Sequence, residues 1–524
     1  MGSSVTDTAN RSGGSVRPFT GDEYLGSLRD GREVWIYGER VSDVTCHPAF
    51  RNTARTVARL YDALHDPSTN PDLTCPTDTG SEGFTHRFFR VARDPADLVA
   101  SRHAIATWSR MTYGWLGRSP DFKAAFVVTL GANASYYSPY TENATRWYKH
   151  LQEGVHYLNH AMADPPVDRQ QSTTPNDIQM RVERETDAGL VVSGAKTVAT
   201  NSALTHYTVV AQIRPVQYKE QALTFILPMD AEGAKLLCRP SYQMAAQLVG
   251  SPFDYPLTSQ YDENDSVLIC DNVLVPWENV LIYGDMLKPS TFLPRSGFHA
   301  NAALHGCTRL AVKVDFLSGL LLKSLEMTGA IQSRSVQIKV GEVLSWRSLF
   351  WSLTEAMVRA PTPWQQDALM PNREAGLAYY ALAPNVYSSI RTVFEDLVAS
   401  GLIYYNSHVT DLKTPELRPY IERYMRGTQG QDATERVKLA KLAWDAIGTE
   451  FGSRHELYER NYSGNHEAIQ LNNYVNAAAS GQVDSLKSFV EQCMSEYDVD
   501  GWKSPDLVSK PDKGDLDSWY SWLL

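Results

Sequence analysis

Six cysteines are few for 524 residues, and Cys46, Cys75, Cys238, Cys270, Cys307 and Cys493 lie scattered with no CxxC pair among them. That spacing excludes a disulfide framework and a structural zinc knuckle, and it reads as free thiols in a reducing compartment. Positive charge is also scarce. With 49 Lys and Arg against 60 Asp and Glu, the net charge of −11 argues against a general affinity for nucleic acid or anionic membrane. No apolar run approaches the ~18 residues that a membrane span needs, so neither a membrane nor a nucleic-acid partner is expected, and the location read from these absences is cytoplasmic. Residues 1–16 are rich in Gly and Ser, lack the apolar centre of a signal peptide and read as disordered. Rossmann (GxGxxG), P-loop (GxxxxGK[ST]) and nucleophile-elbow (GxSxG) signatures are missing too, which leaves those three site types unsupported.

What is present is an ordinary globular composition, 43% hydrophobic and 21% charged, in a chain long enough for several domain-sized units. Residues 17–160 read as an N-terminal helical domain. Asp94-Pro95 marks a helix start there, with Leu98, Ile105, Trp108 and Met111 as inner positions, and Leu116-Gly117-Arg118-Ser119-Pro120 breaks the run. Residues 161–288 change to β pattern, with strand-like pieces at 204–213, 222–228, 234–238 and 267–275 and a turn at Thr186 to Gly189. Residues 289–498 return to helical period: Leu310, Val314, Leu317, Leu321 and Leu325 repeat at three and four, as do Val343, Trp346, Phe350, Leu353 and Met357. Further helices are expected at 386–402, 415–426 and 433–447, and residues 499–524 read as a C-terminal arm. The expected class is α+β, mainly helical, with a β domain between a helical domain and a four-helix bundle.

The stretch from Gly154 to Arg169, GVHYLNHAMADPPVDR, carries the chemistry. His156 and His160 stand four apart, on one face if the segment is a helix, and Asp164-Pro165-Pro166 would end that helix. A metal pair is one reading, but there is no HExxH, and Glu153 with His156 forms only one ExxH where di-iron bundles need two; no metal site is expected. The plain alternative is a core or helix-end histidine. A second stretch, Ser193 to Ser202 (SGAKTVATNS), resembles the flavin-contacting turn of acyl-CoA dehydrogenases, and DNVLVPWENVL from Asp271 to Leu281 is similar to the strand and proline exit that follow the β domain in that fold.

From Arg17 almost to its end the chain resembles the oxygenase component of the two-component 4-hydroxyphenylacetate 3-hydroxylases, a flavin-dependent branch of the acyl-CoA dehydrogenase fold. The matching runs are RPFTGDEYLGSLRDGREVWIYGERV, HPAFRN, TDTGSEGFTHRFFR, YGWLGRSPDFKAAF, GAKTVATNSALTHY, SPFDYPL, DNVLVPWENVLIY, WDAIGTEFGSRHELYERNYSG and MSEYDVDGW. The resemblance implies a homotetramer that takes FAD as FADH2 from a separate flavin reductase, uses O2 as co-substrate, and hydroxylates a phenol beside its hydroxyl to give a catechol. It implies Arg118 and His160 as catalytic, with Arg118, Phe122, His160 and Ser202 against the substrate. It places the flavin on His160, on Pro166, Val167, Asp168 and Arg169, on Thr200 and Asn201, and on Tyr462, Ser463, Gly464 and Asn465, this last segment lent by another subunit. Phe122 departs from the family, which has a tyrosine there.

Within the family the chain is most similar to members of enediyne antibiotic pathways, implying a β-tyrosine-type substrate, halogenated in some, tethered to a peptidyl carrier protein. A free phenol such as 4-hydroxyphenylacetate or a chlorophenol is the alternative substrate, and an acyl-CoA dehydrogenase the alternative enzyme. Elementary chemistry supports the two catalytic roles. A phenol with a pKa of about 10 is a poor nucleophile at neutral pH. Arg118 stays charged and can stabilise a phenolate, while a histidine near its unperturbed pKa of about 6.5 can accept or relay the proton.

Overall fold

The computed structural model describes residues 11–12, 15–166, 178–462, 464–499 and 501–504. The chain divides into two units, residues 1–462 and 463–524.

After a short helix at Gly21–Ser27, the first unit carries helices α1 (Arg51–Ala63), α2 (Pro95–Met111), α3 (Ala124–Ala132) and α4 (Thr141–Gly154). Helix α2 starts where the sequence marks it: the Asp94 side chain accepts from the Asp97 N–H, and Pro95 fills the first turn, where a missing N–H costs nothing. Leu98, Ile105 and Trp108 are buried, whereas Met111, expected inside, is 38% exposed because the helix ends on it.

Two sheets follow, built from β1 (Glu33–Ile36), β2 (Glu39–Arg40), β3 (Leu158–Ala161), β4 (Arg181–Thr186), β5 (Gly189–Lys196), β6 (Tyr207–Ala211), β7 (Leu223–Pro228), β8 (Ala234–Cys238), β9 (Ser266–Pro276) and β10 (Val280–Tyr283). The six-stranded sheet runs β2-β1-β8-β9-β5-β4 and the four-stranded sheet β10-β7-β6-β3. Pairing is antiparallel except β1 with β8 and β3 with β6. The β4–β5 turn depends on Gly189, where a Cβ would stand 2.1 Å from the Val275 carbonyl oxygen of the neighbouring strand. Both sheets recruit strands from upstream of residue 161: β1 and β2 join one, β3 the other.

Strand β3 corrects the helical reading of the histidine pair. Helix α4 stops at Gly154, Val155 takes the left-handed conformation at its cap, and the chain then pairs alongside β6, with His160 opposite Val209. Asp164-Pro165-Pro166 lies beyond the strand rather than at a helix end. His156 therefore shares no helical face with His160. It is buried, its ring stacks on His150 at 4.2 Å, and its Nδ1 lies 3.0 Å from the His150 carbonyl oxygen, which makes it a packing residue.

Helices α5 (Phe298–Thr328), α6 (Arg334–Arg359) and α7 (Arg373–Ile403) pack on one another, and the α8 (Ala433–Ile447) and α9 (Glu450–Asn461) pair completes the bundle against α5 and α7. Leu310, Val314, Leu317, Leu321 and Leu325 are all buried, as their spacing requires. Helix α7 begins well before residue 386 because Asn372 caps it, accepting from the Ala375 N–H. The described residues of the second unit form α10 (His466–Ala479), α11 (Gln482–Met494) and a short hairpin pairing Tyr497–Asp498 with Gly501–Trp502. Residues 505–524 of the expected arm lie outside the described residues. Among the described residues no helix is long and apolar enough to cross a membrane.

Candidate active site

Every residue from Trp115 to Lys123 is buried, an unusual condition for a loop that carries Arg118, Asp121 and Lys123. The Arg118 backbone N–H donates to the Glu263 carboxylate, and its carbonyl accepts from the Tyr157 hydroxyl. Thus anchored, the loop lays the Arg118 guanidinium 4.0 Å from the Phe122 ring centroid, 5.1 Å from that of Tyr462 and 5.2 Å from that of Tyr458. Gly117 permits this approach, since a Cβ there would come within 2.6 Å of the Tyr458 ring, whose hydroxyl donates to the Gly117 carbonyl at 3.1 Å.

Phe122 is the centre of the cluster. It is 2% exposed, and its ring lies 5.8 Å from His160, 5.4 Å from His305 and 6.1 Å from Tyr462. His160, half-buried on β3, has no hydrogen-bond partner at Nδ1 among the described residues. Burial, and then the positive charges of Lys123 and Arg118, push its pKa well below 6.5, so the imidazole is neutral at pH 7. A neutral imidazole can accept a hydrogen bond through its free nitrogen. Burial pushes the Tyr462 hydroxyl up to about 12, so it stays protonated.

The Thr200–Ser202 turn joins the same network from the β layer. Asn201 donates to the Tyr157 hydroxyl at 2.7 Å, and that hydroxyl in turn holds the Arg118 carbonyl. The Thr200 hydroxyl donates to Asp265 at 2.6 Å, while Asn159 donates to the Thr200 carbonyl and, at 3.0 Å, to the Ser202 hydroxyl. Burial raises the Asp265 pKa, but Arg454, Arg239 and the Thr200 hydroxyl together outweigh it and hold this carboxyl below its usual range. The Ser202 hydroxyl is fully buried and already engaged, whereas Asn201 keeps its Oδ1 without a partner among the described residues.

The structure therefore brings Arg118, Phe122, His160 and Tyr462 together and ties Thr200, Asn201 and Ser202 to them through Tyr157. Pro166 is exposed, beyond the Asp164–Lys196 ion pair of 2.6 Å. Val167, Asp168, Arg169 and Ser463 lie outside the described residues. Gly464 and Asn465 belong to the second unit, where Asn465 caps α10 by accepting from the Glu467 and Ala468 N–H groups.

Several participants carry no signal that the sequence reading used. Asp121 and His305 form a buried pair at 3.2 Å beside Phe122, and the Ser119 hydroxyl donates to the same Asp121 oxygen. Behind Tyr458 and Tyr462, Arg309 donates to both Glu459 oxygens at 2.7 Å and Lys313 to one at 3.0 Å. Burial pushes the Glu459 carboxyl up, but these two cations outweigh it and bring it down to about 2. The i, i+4 pattern of α5 and the Tyr458–Tyr462 spacing on either side of Glu459 are the only traces of this cluster in the sequence.

A family model described as the N-terminal part of 4-hydroxyphenylacetate 3-hydroxylase matches residues 20–282, and one described as its C-terminal part matches residues 290–491. The 4-nitrophenol 2-monooxygenase oxygenase component of a Rhodococcus species is 54% identical, over 95% of this chain and 96% of that protein. A Streptomyces globisporus monooxygenase acting on (3S)-3-amino-3-(3-chloro-4-hydroxyphenyl)propanoyl carried on the peptidyl-carrier protein SgcC2 is also 54% identical, over 94% of each chain. Among solved structures, the oxygenase component HpaB of 4-hydroxyphenylacetate 3-monooxygenase, complexed with FAD and 4-hydroxyphenylacetate, superposes with a TM-score of 0.85 at 30% identity, covering 91% of this chain and 99% of that one. An archaeal 4-hydroxybutyryl-CoA dehydratase from N. maritimus shares the fold with a TM-score of 0.82 at 17% identity.

Proposed function

The chain belongs to the 4-hydroxyphenylacetate 3-hydroxylase family, and from that premise we infer that it is a monooxygenase that uses FADH2 and O2 to hydroxylate a phenol ortho to its hydroxyl, giving a catechol. The observation that carries the reading is the apposition, around the ring of Phe122, of a buried arginine and a neutral histidine whose Nδ1 has no partner among the described residues. The site suits a flavin as well as a phenol: His160 Nδ1, Arg118 Nε and Asn201 Oδ1 are buried polar atoms without partners among the described residues, and groups of that kind are retained where a ligand satisfies them. His160, Thr200, Asn201 and Tyr462 would hold FAD from the described part of the first unit.

When bound, reduced FAD supplies the activated oxygen atom. The protein does the rest. His160 accepts the hydrogen bond of the phenol hydroxyl, which orients the ring and offers its proton a way out. Arg118, permanently charged and stacked on three rings, stabilises the phenolate that makes the ortho carbon nucleophilic. Burial of the loop from Trp115 to Lys123 keeps water from the reaction.

For the substrate, the S. globisporus relative supports a β-tyrosine-type phenol, chlorinated beside its hydroxyl and tethered to a peptidyl carrier protein. Phe122 fits it, because a phenyl ring in place of the family tyrosine leaves an apolar wall where a chlorine would lie. The equally similar 4-nitrophenol enzyme supports a free phenol as the second reading. A separate flavin reductase is the implied partner. A homotetramer is supported by the apolar face of the second unit, where Leu471, Tyr474, Leu486 and Phe489 are each at least 60% exposed and a neighbouring copy would cover them. Free 4-hydroxyphenylacetate, 4-nitrophenol, free β-tyrosine and carrier-bound 3-chloro-β-tyrosine, assayed side by side with reduced FAD and oxygen, test the reading: catechol from the tethered substrate alone supports the first form and catechol from a free phenol the second.

A further inference from the structure

Lys123 is the group in this site that the reaction has not yet used. Its side chain is fully buried, and its Nζ has no hydrogen-bond partner among the described residues. The Nζ lies 4.4 Å from the Phe122 ring centroid and 4.2 Å from that of Phe298, so the amine meets aromatic carbon where a lysine would normally find a carboxylate or water. On its own segment, Arg118 is a repelling charge, and the Asp121 carboxylate holds Ser119 and His305 at Oδ1 and makes no bond to Nζ. From the neighbouring elements, β3 presents the neutral His160 and α5 presents His305, paired with Asp121. Among the described residues no carboxylate forms an ion pair with Nζ.

We propose that Lys123 is the proton acceptor of the site: its buried, unpartnered amine takes the proton that the phenol hydroxyl gives up, relayed by the imidazole of His160. The step balances. The phenol O–H breaks and an Nζ–H bond forms, so a neutral phenol and a neutral amine become a phenolate and an ammonium, and the ammonium returns the proton as the catechol departs. Both groups pack around the Phe122 ring that marks the substrate position, Nζ 4.4 Å and the His160 ring 5.8 Å from its centroid. Burial and then Arg118 push the lysine well below its usual pKa, the direction a proton acceptor needs. A base kept neutral by a dry site and filled only during turnover would also explain why a hydrophobic side chain does not stand here.

This inference rests on the hydroxylase reading, and the experiment separates the two. Wild type, Lys123→Met and Lys123→Gln, each loaded anaerobically with reduced FAD, are mixed with oxygen and a series of phenols of decreasing pKa, and catechol formed per flavin oxidised is measured from pH 6 to 9. Wild-type yield should rise with pH through an apparent pKa below that of free lysine. Both variants should lose at least tenfold in catechol formation for weakly acidic phenols, lose that pH dependence, and recover as the phenol becomes acidic enough to ionise unaided, while binding reduced FAD as wild type does. Lys123→Met should also melt no lower than wild type, since it removes a buried amine without a partner. A Lys123→Met enzyme with the wild-type pH profile overturns the proposal, and so does a loss that is equal for all phenols at every pH, which is the mark of a packing role. Wild type that makes no catechol from any phenol refutes the hydroxylase reading instead.

Discussion

Glu459→Gln is the most informative perturbation of the scaffold behind the site. The carboxylate, 1% exposed, neutralises Arg309 and Lys313, which are themselves 1% and 0% exposed. The amide keeps the shape but leaves two cations buried in α5 without a counter-charge, a change that costs about 3–5 kcal/mol. The lower end is expected, because burial already brings Lys313 down to about 8 and it can release its proton when Glu459 is lost. Replacing Arg309 by Met in the same chain should recover much of the loss, since it removes the buried guanidinium that Glu459→Gln leaves without a counter-charge. The assay is the urea unfolding midpoint at matched slope, for wild type, the single and the double variant at pH 7. The pH sign is fixed by the direction of the shift. Glu459 is depressed from 4.5 to about 2, so its contribution is fully present above pH 4.5 and disappears as the pH falls towards 2. A single variant within about 1 kcal/mol of wild type, on the scale of an exposed pair, would refute the view that this cluster holds the Tyr458–Tyr462 wall against Arg118.

Other consequences follow from the same geometry. Phe122→Tyr puts a hydroxyl into the apolar wall and should shift the ratio of turnover with chlorinated to unchlorinated phenol towards the unchlorinated one; an unchanged ratio in competition assays removes Phe122 as the halogen determinant. Arg118→Lys keeps the charge but loses the guanidinium set 4.0, 5.1 and 5.2 Å from three ring centroids, contacts worth about 0.5–2 kcal/mol each, and should lower catechol formation at least tenfold with reduced-FAD binding retained, a split read by anaerobic titration and single turnover. The protein should be acid-labile: burial lowers His86 to about 4 and His206 to about 3, so unfolding takes up protons and stability falls as the pH drops below about 6.5. Urea midpoints from pH 8 to 5 check this, and midpoints independent of pH would contradict it.

Where one local signal sufficed, the sequence was readable. The Asp94-Pro95 cap sets the start of α2, and the patterns at 234–238 and 433–447 coincide with β8 and α8. Local periodicity also misled where a non-local partner decided the outcome. His156 and His160 have helical spacing, yet the left-handed Val155 and the slot beside β6 turn the segment into strand. Glu33–Ile36 carries little to separate it from its helical surroundings, because its partner is Ala234–Cys238, about two hundred residues downstream. The core of the site, Arg118, Phe122 and His160, came from family resemblance. The buried charges around it did not, since Lys123, Arg309, Lys313 and Glu459 look in a sequence like any solvated helix residues, and only tertiary packing takes them out of water.

The central claim is that Arg118 and His160 serve hydroxylation of a phenol by reduced flavin and oxygen. One measurement tests it most directly: anaerobic titration of the purified protein with reduced FAD, followed by rapid mixing with oxygenated buffer containing the tethered chloro-β-tyrosine or a free phenol, with quantification of catechol. Binding of reduced FAD, catechol approaching one per flavin in wild type, and loss of catechol but not of oxygen consumption in Arg118→Ala and His160→Ala are the expected results. Catechol yields unaltered by both substitutions, or a protein that retains oxidised FAD and oxidises an acyl-CoA, would contradict the claim.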